Sequence, residues 1–321
     1  MNPQKLSRRE ALARAGLLVG TAILAERPGL GAAAAAPPVP AAGPSFRYCL
    51  NMATIRGQKL GIVKQIEVAA TAGYQGIEPW TDSLGDYVKS GGSLLDLKKH
   101  IGDSGLTVEG AIGFPEWIVD DDARRAKGLE RAKREMDMVA QIGGRRFAAP
   151  PAGATGLPKL EVTKAAERYR VLLDAGDELG VVPQLELWGH SQNLGRLGEC
   201  VAVAMETGHR HACVLADVYH LYKGGSDFHG LRLLGPEAVQ VLHMNDYPND
   251  PPREKIDDSY RMYPGDGVAP LTDLLQTLRA TGGQKVLSLE LFNRKLWTED
   301  PLEVAKTGLA KMKTLAAKTQ R

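Results

Sequence analysis

The sequence predicts an α/β fold, a single domain in which eight parallel strands close into a (β/α)8, or TIM, barrel. Three observations carry this. From residue 46 onward a short apolar run, a loop, an amphipathic stretch and a glycine recur in that order about eight times. Parallel neighbours need a crossover, usually a helix, so strict alternation implies a parallel sheet with helices outside it. Eight such units in a chain of 321 residues suit a closed barrel. The first strand is not followed by Gly-x-Gly-x-x-Gly, which weighs against the main competitor, a doubly wound dinucleotide-binding sheet.

The elements follow in order. Residues 46–52 are the first strand. Residues 60–72 set Ile62, Val63, Ile66, Ala69 and Ala70 at helical spacing and stop at Gly73, the residue type that most readily takes the left-handed turn closing a helix. Residues 76–80 are strand two, 93–104 helix two, and 106–112 strand three. A long charged helix over 122–142 ends in Gly143-Gly144, and strand four is 146–149. Helix four (159–179) ends at Gly180, strand five is 181–188, helix five (194–207) ends at Gly208, and strand six is 212–217. A helix is placed within 228–234, strand seven at 238–244, helix seven at 270–280 and strand eight at 285–292. The last helix, 301–317, has Pro301 at its start, where a missing N–H costs nothing. Two connections, 150–158 and 247–264, exceed ordinary loop length; both follow strands, which in a barrel puts them on the catalytic face.

Residues 1–45 have another character. Leu6-Ser-Arg-Arg-Glu-Ala-Leu12 precedes an apolar run over 15–25, and a small-residue stretch ends at Ala36. A charged head, an apolar middle and a small-residue cleavage zone make a secretory leader. The Ser-Arg-Arg-x-x-Leu core resembles a twin-arginine export signal, with Ala11 where Phe is usual. The apolar run is short for a membrane span. The reading is therefore a twin-arginine signal peptide over 1–36, a Pro/Ala-rich linker over 37–45 and a barrel over 46–318. The twin-arginine translocation machinery would be a partner, and the location periplasmic or secreted.

Residues 1–36 hold five basic and two acidic residues, so their loss takes the formal net charge from +2 to −1. No basic excess remains to attract nucleic acid. Cys49, Cys200 and Cys213 are odd in number, and two lie in apolar strand-like runs, which predicts buried free thiols rather than a disulfide framework.

Chemistry concentrates in the later strands. Strand five gives Gln184-Leu-Glu186-Leu-Trp188, strand six ends in Ala216-Asp217, strand seven gives Leu242-His243-Met244-Asn245-Asp246, and strand eight gives Ser288-Leu-Glu290. Four consecutive strands thus set Glu186, Asp217, His243 and Glu290 in apolar surroundings. Unpaired buried carboxylates are costly, so this set needs a cation or a hydrogen-bond network. Three carboxylates and one imidazole form a hard, mostly oxygen site, suited to one divalent metal ion: Mn2+, Mg2+ or Co2+, with Zn2+ also admitted. Asp217 read alone serves equally as a cap for the turn that follows it, and His220, three residues on, as a structural histidine. Glu78 and Glu109 end early strands and either line the pocket or pair at the surface. Trp80, Phe114, Trp117 and Trp188 either stack on a substrate's apolar face or fill the core. His190, His209, His211 and His229 read as surface residues.

Leu-Glu-x-Trp on strand five, Asp-x-x-His after strand six, His-x-x-Asp on strand seven, Pro-Gly-Asp-Gly before helix seven and Leu-Glu on strand eight together resemble the sugar phosphate isomerase/epimerase family. This xylose-isomerase-like barrel group includes ketose 3-epimerases, hydroxypyruvate isomerases, inosose dehydratases and endonuclease IV. The resemblance covers roughly residues 46–317. It implies metal ligands at Glu186, Asp217, His243 and Glu290, with Glu186 and Glu290 also the catalytic acid/base pair. It implies a substrate-contacting role for His220, and for Arg261 ahead of the Pro-Gly-x-Gly turn; Trp188 and Glu78 are further candidate substrate contacts.

The expected activity is that of an exported, metal-dependent isomerase or epimerase of a sugar or sugar derivative, working through a metal-stabilised enediolate. A metal-dependent lyase or dehydratase on a keto-sugar shares the enolate step, and a non-catalytic sugar-binding barrel is the alternative of another class. A nuclease of this group would need extra histidines on the early strands, which offer Glu78 and Glu109 instead. No Gly-rich phosphate loop is present, which favours a free over a phosphorylated sugar.

Overall fold

The computed structural model describes residues 46–319. The signal peptide and linker read over residues 1–45 lie outside them.

Eight strands, all paired in parallel, form the sheet: β1 (Phe46–Asn51), β2 (Gly76–Glu78), β3 (Thr107–Val108), β4 (Arg146–Ala149), β5 (Val182–Glu186), β6 (Val214–Asp217), β7 (Val241–Met244) and β8 (Lys285–Leu289). The strand order is β3-β2-β1-β8-β7-β6-β5-β4, with β1 paired to both β2 and β8. The remaining seam, between β3 and β4, is drawn together beyond the end of β3, where Ala148 N–H donates to the Ala111 carbonyl at 2.9 Å. The result is the TIM barrel that the alternation predicted.

The helices are α1 (Ile62–Ala72), α2 (Thr81–Lys89), α3 (Leu94–Asp103), α4 (Asp122–Gln141), α5 (Val162–Leu179), α6 (Leu197–Glu206), α7 (Val218–Lys223), α8 (Leu271–Ala280) and α9 (Pro301–Lys318). Gly73 closes α1 at φ 89°, its N–H returning to the carbonyls of Ala69 and Ala70. Ile77, Leu215, Leu242 and Leu287 are buried strand residues of the core. Cys49, Cys200 and Cys213 are free and buried, as their apolar surroundings predicted. No helix among the described residues is long and apolar enough to cross a membrane.

Three elements depart from the sequence reading. Helix α2 was not anticipated; with Gly85 in its middle and Leu84 as the only large apolar side chain it buries, its amphipathic signal is weak. Helix α7 begins directly after Asp217, where a loop was expected. The helix placed within 228–234 is a 3-10 helix, Phe228–Leu233. The long segment after β7 also has structure: Asp246 and Met262 pair in an antiparallel bridge, and a 3-10 turn, Asp258–Tyr260, precedes Arg261.

Candidate active site

Each acidic side chain of the later strands arrives at the same end of the barrel. Glu186 is the last residue of β5, Asp217 the last of β6, and Glu290 follows β8 directly; His243 lies one residue inside the end of β7. All four are buried. Strand alternation explains their company: Ser288 and Glu290, two apart, share a face of β8, and His243 and Asn245 share a face at β7.

Glu186, His243 and Glu290 each place a ligand atom within 4.8 Å of the others. His243 Nδ1 faces this cluster, 3.0 Å from Glu290 Oε2 and 3.7 Å from both Glu186 Oε1 and Asp217 Oδ2. The Glu290 contact is one of charge without an aligned hydrogen bond, so Nδ1 is a buried polar atom without a hydrogen-bond partner. Asp217 is the most engaged of the four. Its Oδ1 accepts from His220 N–H at 2.8 Å, capping α7, while Oδ2 accepts from Arg261 Nη1 at 2.7 Å and Asn245 Nδ2 at 3.2 Å. The capping reading of Asp217 therefore holds, alongside its place in the acidic cluster.

Arg261 reaches into the cluster from the loop after β7. Its Nη1 donates to both Asp217 and Glu290, the latter at 2.8 Å, and Nε and Nη2 donate to Asp258. Its Nη2 also lies 3.1 Å from His220 Nε2, while Gly189 N–H points at His220 Nδ1 from 3.2 Å. A neutral imidazole has one acceptor nitrogen, so only one of these two donors can be satisfied at a time. Burial lowers the His220 pKa well below its ordinary value, with Asp217 opposing the fall and Arg261 adding to it.

The electrostatics show a shortage of positive charge. Burial pushes the Glu186 carboxyl up to about 8, with Glu290 and Asp217 adding and His243 opposing. Burial alone would also raise Glu290 and lower His243. Their mutual attraction outweighs it, helped by Arg261 at Glu290 and by Glu78 at His243, so the carboxylate falls and the imidazole rises. A partnerless ring nitrogen among hard oxygen donors, one of them pushed up by burial and by its carboxylate neighbours, fits a divalent metal ion.

Beside the cluster opens a pocket of about 290 Å³, walled by Trp80, Phe114, Trp188 and Phe292 and rimmed by His190 and Asp258. Trp80 and Phe114 meet edge to face at 5.0 Å, and Arg56 lies 3.9 Å over Trp80. Trp117 instead fills the core, its indole N–H donating to the Pro150 carbonyl.

The two early carboxylates part company. Glu78 joins the cluster, though behind His243: its Oε2 lies 3.0 Å from His243 Nε2, on the opposite edge of the ring from Glu186 and Glu290. Glu109 pairs with Arg47 at 2.9 Å and lines a cavity with Arg146, Gln240 and Gln284, at the other mouth of the barrel where strands begin. Sequence reasoning missed Asn51, Ser288, Asn245 and Asp258. The first two bond Glu78, Asn245 bonds Asp217 and Asp258 bonds Arg261. The spacing of Ser288 and Asn245, two residues from Glu290 and His243, was a usable signal. Asn51 comes beside Glu78 only through the register of β1 on β2.

Fold and site together define a barrel protein with an acidic, cation-suited cluster at the carboxyl ends of its strands, the face on which barrel enzymes carry their chemistry. The chain belongs to the xylose isomerase-like TIM barrel family, whose model matches residues 66–315. An inosose isomerase of Bacillus velezensis is 25% identical, covering 81% of this chain and 95% of that protein. A 3-dehydro-D-guloside 4-epimerase of Escherichia coli is 24% identical over 69% of this chain and 85% of the relative. Among solved structures, the IolI protein with a bound zinc atom superposes with a TM-score of 0.78 at 21% identity, covering 85% of this chain and 99% of that one.

Proposed function

We propose that this chain is a metal-dependent isomerase or epimerase of a sugar or sugar derivative, with Glu186 and Glu290 as the acid/base pair. The observation that carries the reading is the convergence of Glu186, His243 and Glu290 within 4.8 Å at the floor of an aromatic-walled pocket. The isomerase and epimerase among its relatives support the same class of chemistry. Glu186, Asp217, His243 and Glu290 would hold one divalent ion, Mn2+, Mg2+, Co2+ or Zn2+. When bound, it supplies the positive charge that stabilises an enediolate.

The protein's own groups account for the proton movements. Glu186 and Glu290 stand three strands apart around the barrel and approach the pocket from different sides. One carboxylate takes the proton from the carbon next to a substrate carbonyl, leaving an enediolate and a carboxylic acid. A proton returned by the other carboxyl to the opposite face of that carbon inverts it, whereas return to the neighbouring carbon exchanges aldose and ketose. His220 and Arg261 orient substrate oxygens, and Trp188 packs against the sugar's apolar face. The Ser-Arg-Arg-x-x-Leu stretch and the apolar run after it support a site of action outside the cytoplasm, after export by the twin-arginine route.

The deciding experiment is incubation of the metal-loaded protein with a panel of keto-sugars in D2O. Deuterium on carbon in a recovered, intact sugar is the expected result. Elimination of water or an aglycone would make the protein a lyase instead. A chain that binds sugars unchanged by Glu186→Gln and without exchange would be a binding barrel.

A further inference from the structure

We infer that Glu78 is a positioning residue that holds the proton of His243 on Nε2, so that Nδ1 is the nitrogen presented to a cation. The inference rests on the reading of the cluster as a cation site and assigns Glu78 a task other than touching substrate.

The geometry around Glu78 allows few alternatives. Its Oε2 receives three donors: Ser288 Oγ at 2.7 Å, Asn51 Nδ2 at 2.9 Å, and the His243 ring nitrogen at 3.0 Å. An oxygen that takes two donors already is an acceptor, so the His243 nitrogen facing it carries hydrogen. The orientation of Asn51 is fixed as well. Its Oδ1 accepts from Ala53 N–H at 2.9 Å and from the Trp80 indole at 3.3 Å, which leaves Nδ2 to face Glu78 and, at 3.1 Å, Glu290 Oε1. Asn51 and Ser288 thus hold Glu78, and Glu78 holds the imidazole. The other ring nitrogen is the one without a hydrogen-bond partner, and it faces Glu186 and Glu290. Glu78 is 2% exposed, with His243 between it and those carboxylates, so a substrate in the pocket would reach the cluster without meeting it. A carboxylate that accepts the second N–H of a ligating histidine fixes the ring's orientation and tautomer and makes the free nitrogen a better donor, typically worth about 10–100-fold in metal affinity.

The test uses Zn2+, which is diamagnetic, on the whole chain. In the Zn2+-loaded wild type, nitrogen-15 NMR should show His243 protonated and hydrogen-bonded at Nε2, with Nδ1 shifted by metal. Glu78→Gln keeps the shape but removes the charge, and should raise the Zn2+ dissociation constant about 10–100-fold. An Nε2 without its proton, or an affinity unchanged by Glu78→Gln, overturns the inference. If Glu78→Gln does not fold, the wild-type spectrum alone decides. If the chain takes up no Zn2+ at all, the metal reading fails; Nε2 of metal-free His243 found protonated and bonded to Glu78 would still support the positioning role, and its absence would overturn it.

Discussion

Arg261 and Asp217 meet at 2.7 Å, guanidinium Nη1 to carboxylate Oδ2, with both side chains sealed from solvent. The same Nη1 donates to Glu290 at 2.8 Å. One cation therefore serves two carboxylates that also lie in reach of His243 Nδ1. Removing one partner of such a buried pair leaves uncompensated charge and typically costs about 3–5 kcal/mol. Arg261→Met should destabilise the metal-free chain by that order in urea unfolding. Added Mn2+ should return more stability to the variant than to the wild type, because the cation neutralises what the guanidinium did. Equal Mn2+ responses would show that Arg261 and the metal ion act on separate charges.

Cation binding should appear directly in stability. A ligand that binds only the folded chain at a hundredfold excess over its dissociation constant stabilises it by about 2.7 kcal/mol. The thermal midpoint of the wild type should rise with Mn2+ or Zn2+ and fall on dialysis against a chelator, and metal analysis should find about one ion per chain. His243→Ala removes the nitrogen that faces both Glu186 and Glu290 and should abolish the shift. A chain whose midpoint is indifferent to divalent ions would refute the site.

Asp246 reads in the sequence as a member of a strand-seven motif, and the structure gives it an architectural task. Its Oδ2 accepts from Gly265 and Gly267 N–H at 2.9 and 3.0 Å, and Oδ1 from Tyr247 and Ala269 N–H at 2.8 and 2.9 Å. The carboxylate folds the Pro-Gly-Asp-Gly turn around itself and closes the base of the loop that carries Asp258 and Arg261. Asp246→Asn turns an amide N–H2 toward two backbone donors. Leaving buried donors unsatisfied costs about 1–3 kcal/mol each, so the midpoint should drop by several degrees. Sugar turnover should fall as Arg261 loses its register. A fully stable, fully active Asp246→Asn would show that the turn holds without it.

The barrel was legible because eight apolar runs alternate with amphipathic helices, and this pattern survives errors at individual elements. Helix α2 escaped because Gly85 and a single large buried side chain, Leu84, give little periodicity. The meeting of Glu186, His243 and Glu290 was legible because each stands at the end of a strand in an apolar run, and parallel strands in a barrel end on one rim. The place of Glu78 behind His243, of Glu109 at the opposite mouth, and of Arg261 inside the cluster was not. Those positions depend on barrel register and on the path of a long loop, neither of which a local pattern encodes.

Export makes a separable prediction. Replacing Arg8 and Arg9 together by Lys keeps the charge of the leader while changing the residue pair on which the twin-arginine reading rests. The paired variant should accumulate as full-length precursor in the cytoplasm, whereas wild type is recovered shortened outside it. Equal export of both would end the twin-arginine assignment and leave the barrel chemistry untouched.

Gly189 ties the loop after β5 to α7 at the edge of the pocket. A β-carbon there would lie 2.4 Å from the His220 carbonyl oxygen and 2.5 Å from Gly224 N, both backbone atoms of the neighbouring segment. Real side chains do not make such contacts, so Gly189→Ala must push α7 and its His220 away from Trp188. Forcing a methyl into packed backbone typically costs about 1–3 kcal/mol, and a shift of about 1 Å at a substrate-orienting group can cost about 100-fold in turnover. Gly198→Ala is the control. Gly198 lies in α6 with nothing within 4 Å of its added β-carbon, so alanine there should stabilise the chain by up to about 1 kcal/mol and leave turnover unchanged. Loss of turnover in Gly189→Ala with Gly198→Ala fully active would place the effect on the close approach to His220. Full activity in both would mean that the orientation of His220 is immaterial to the reaction.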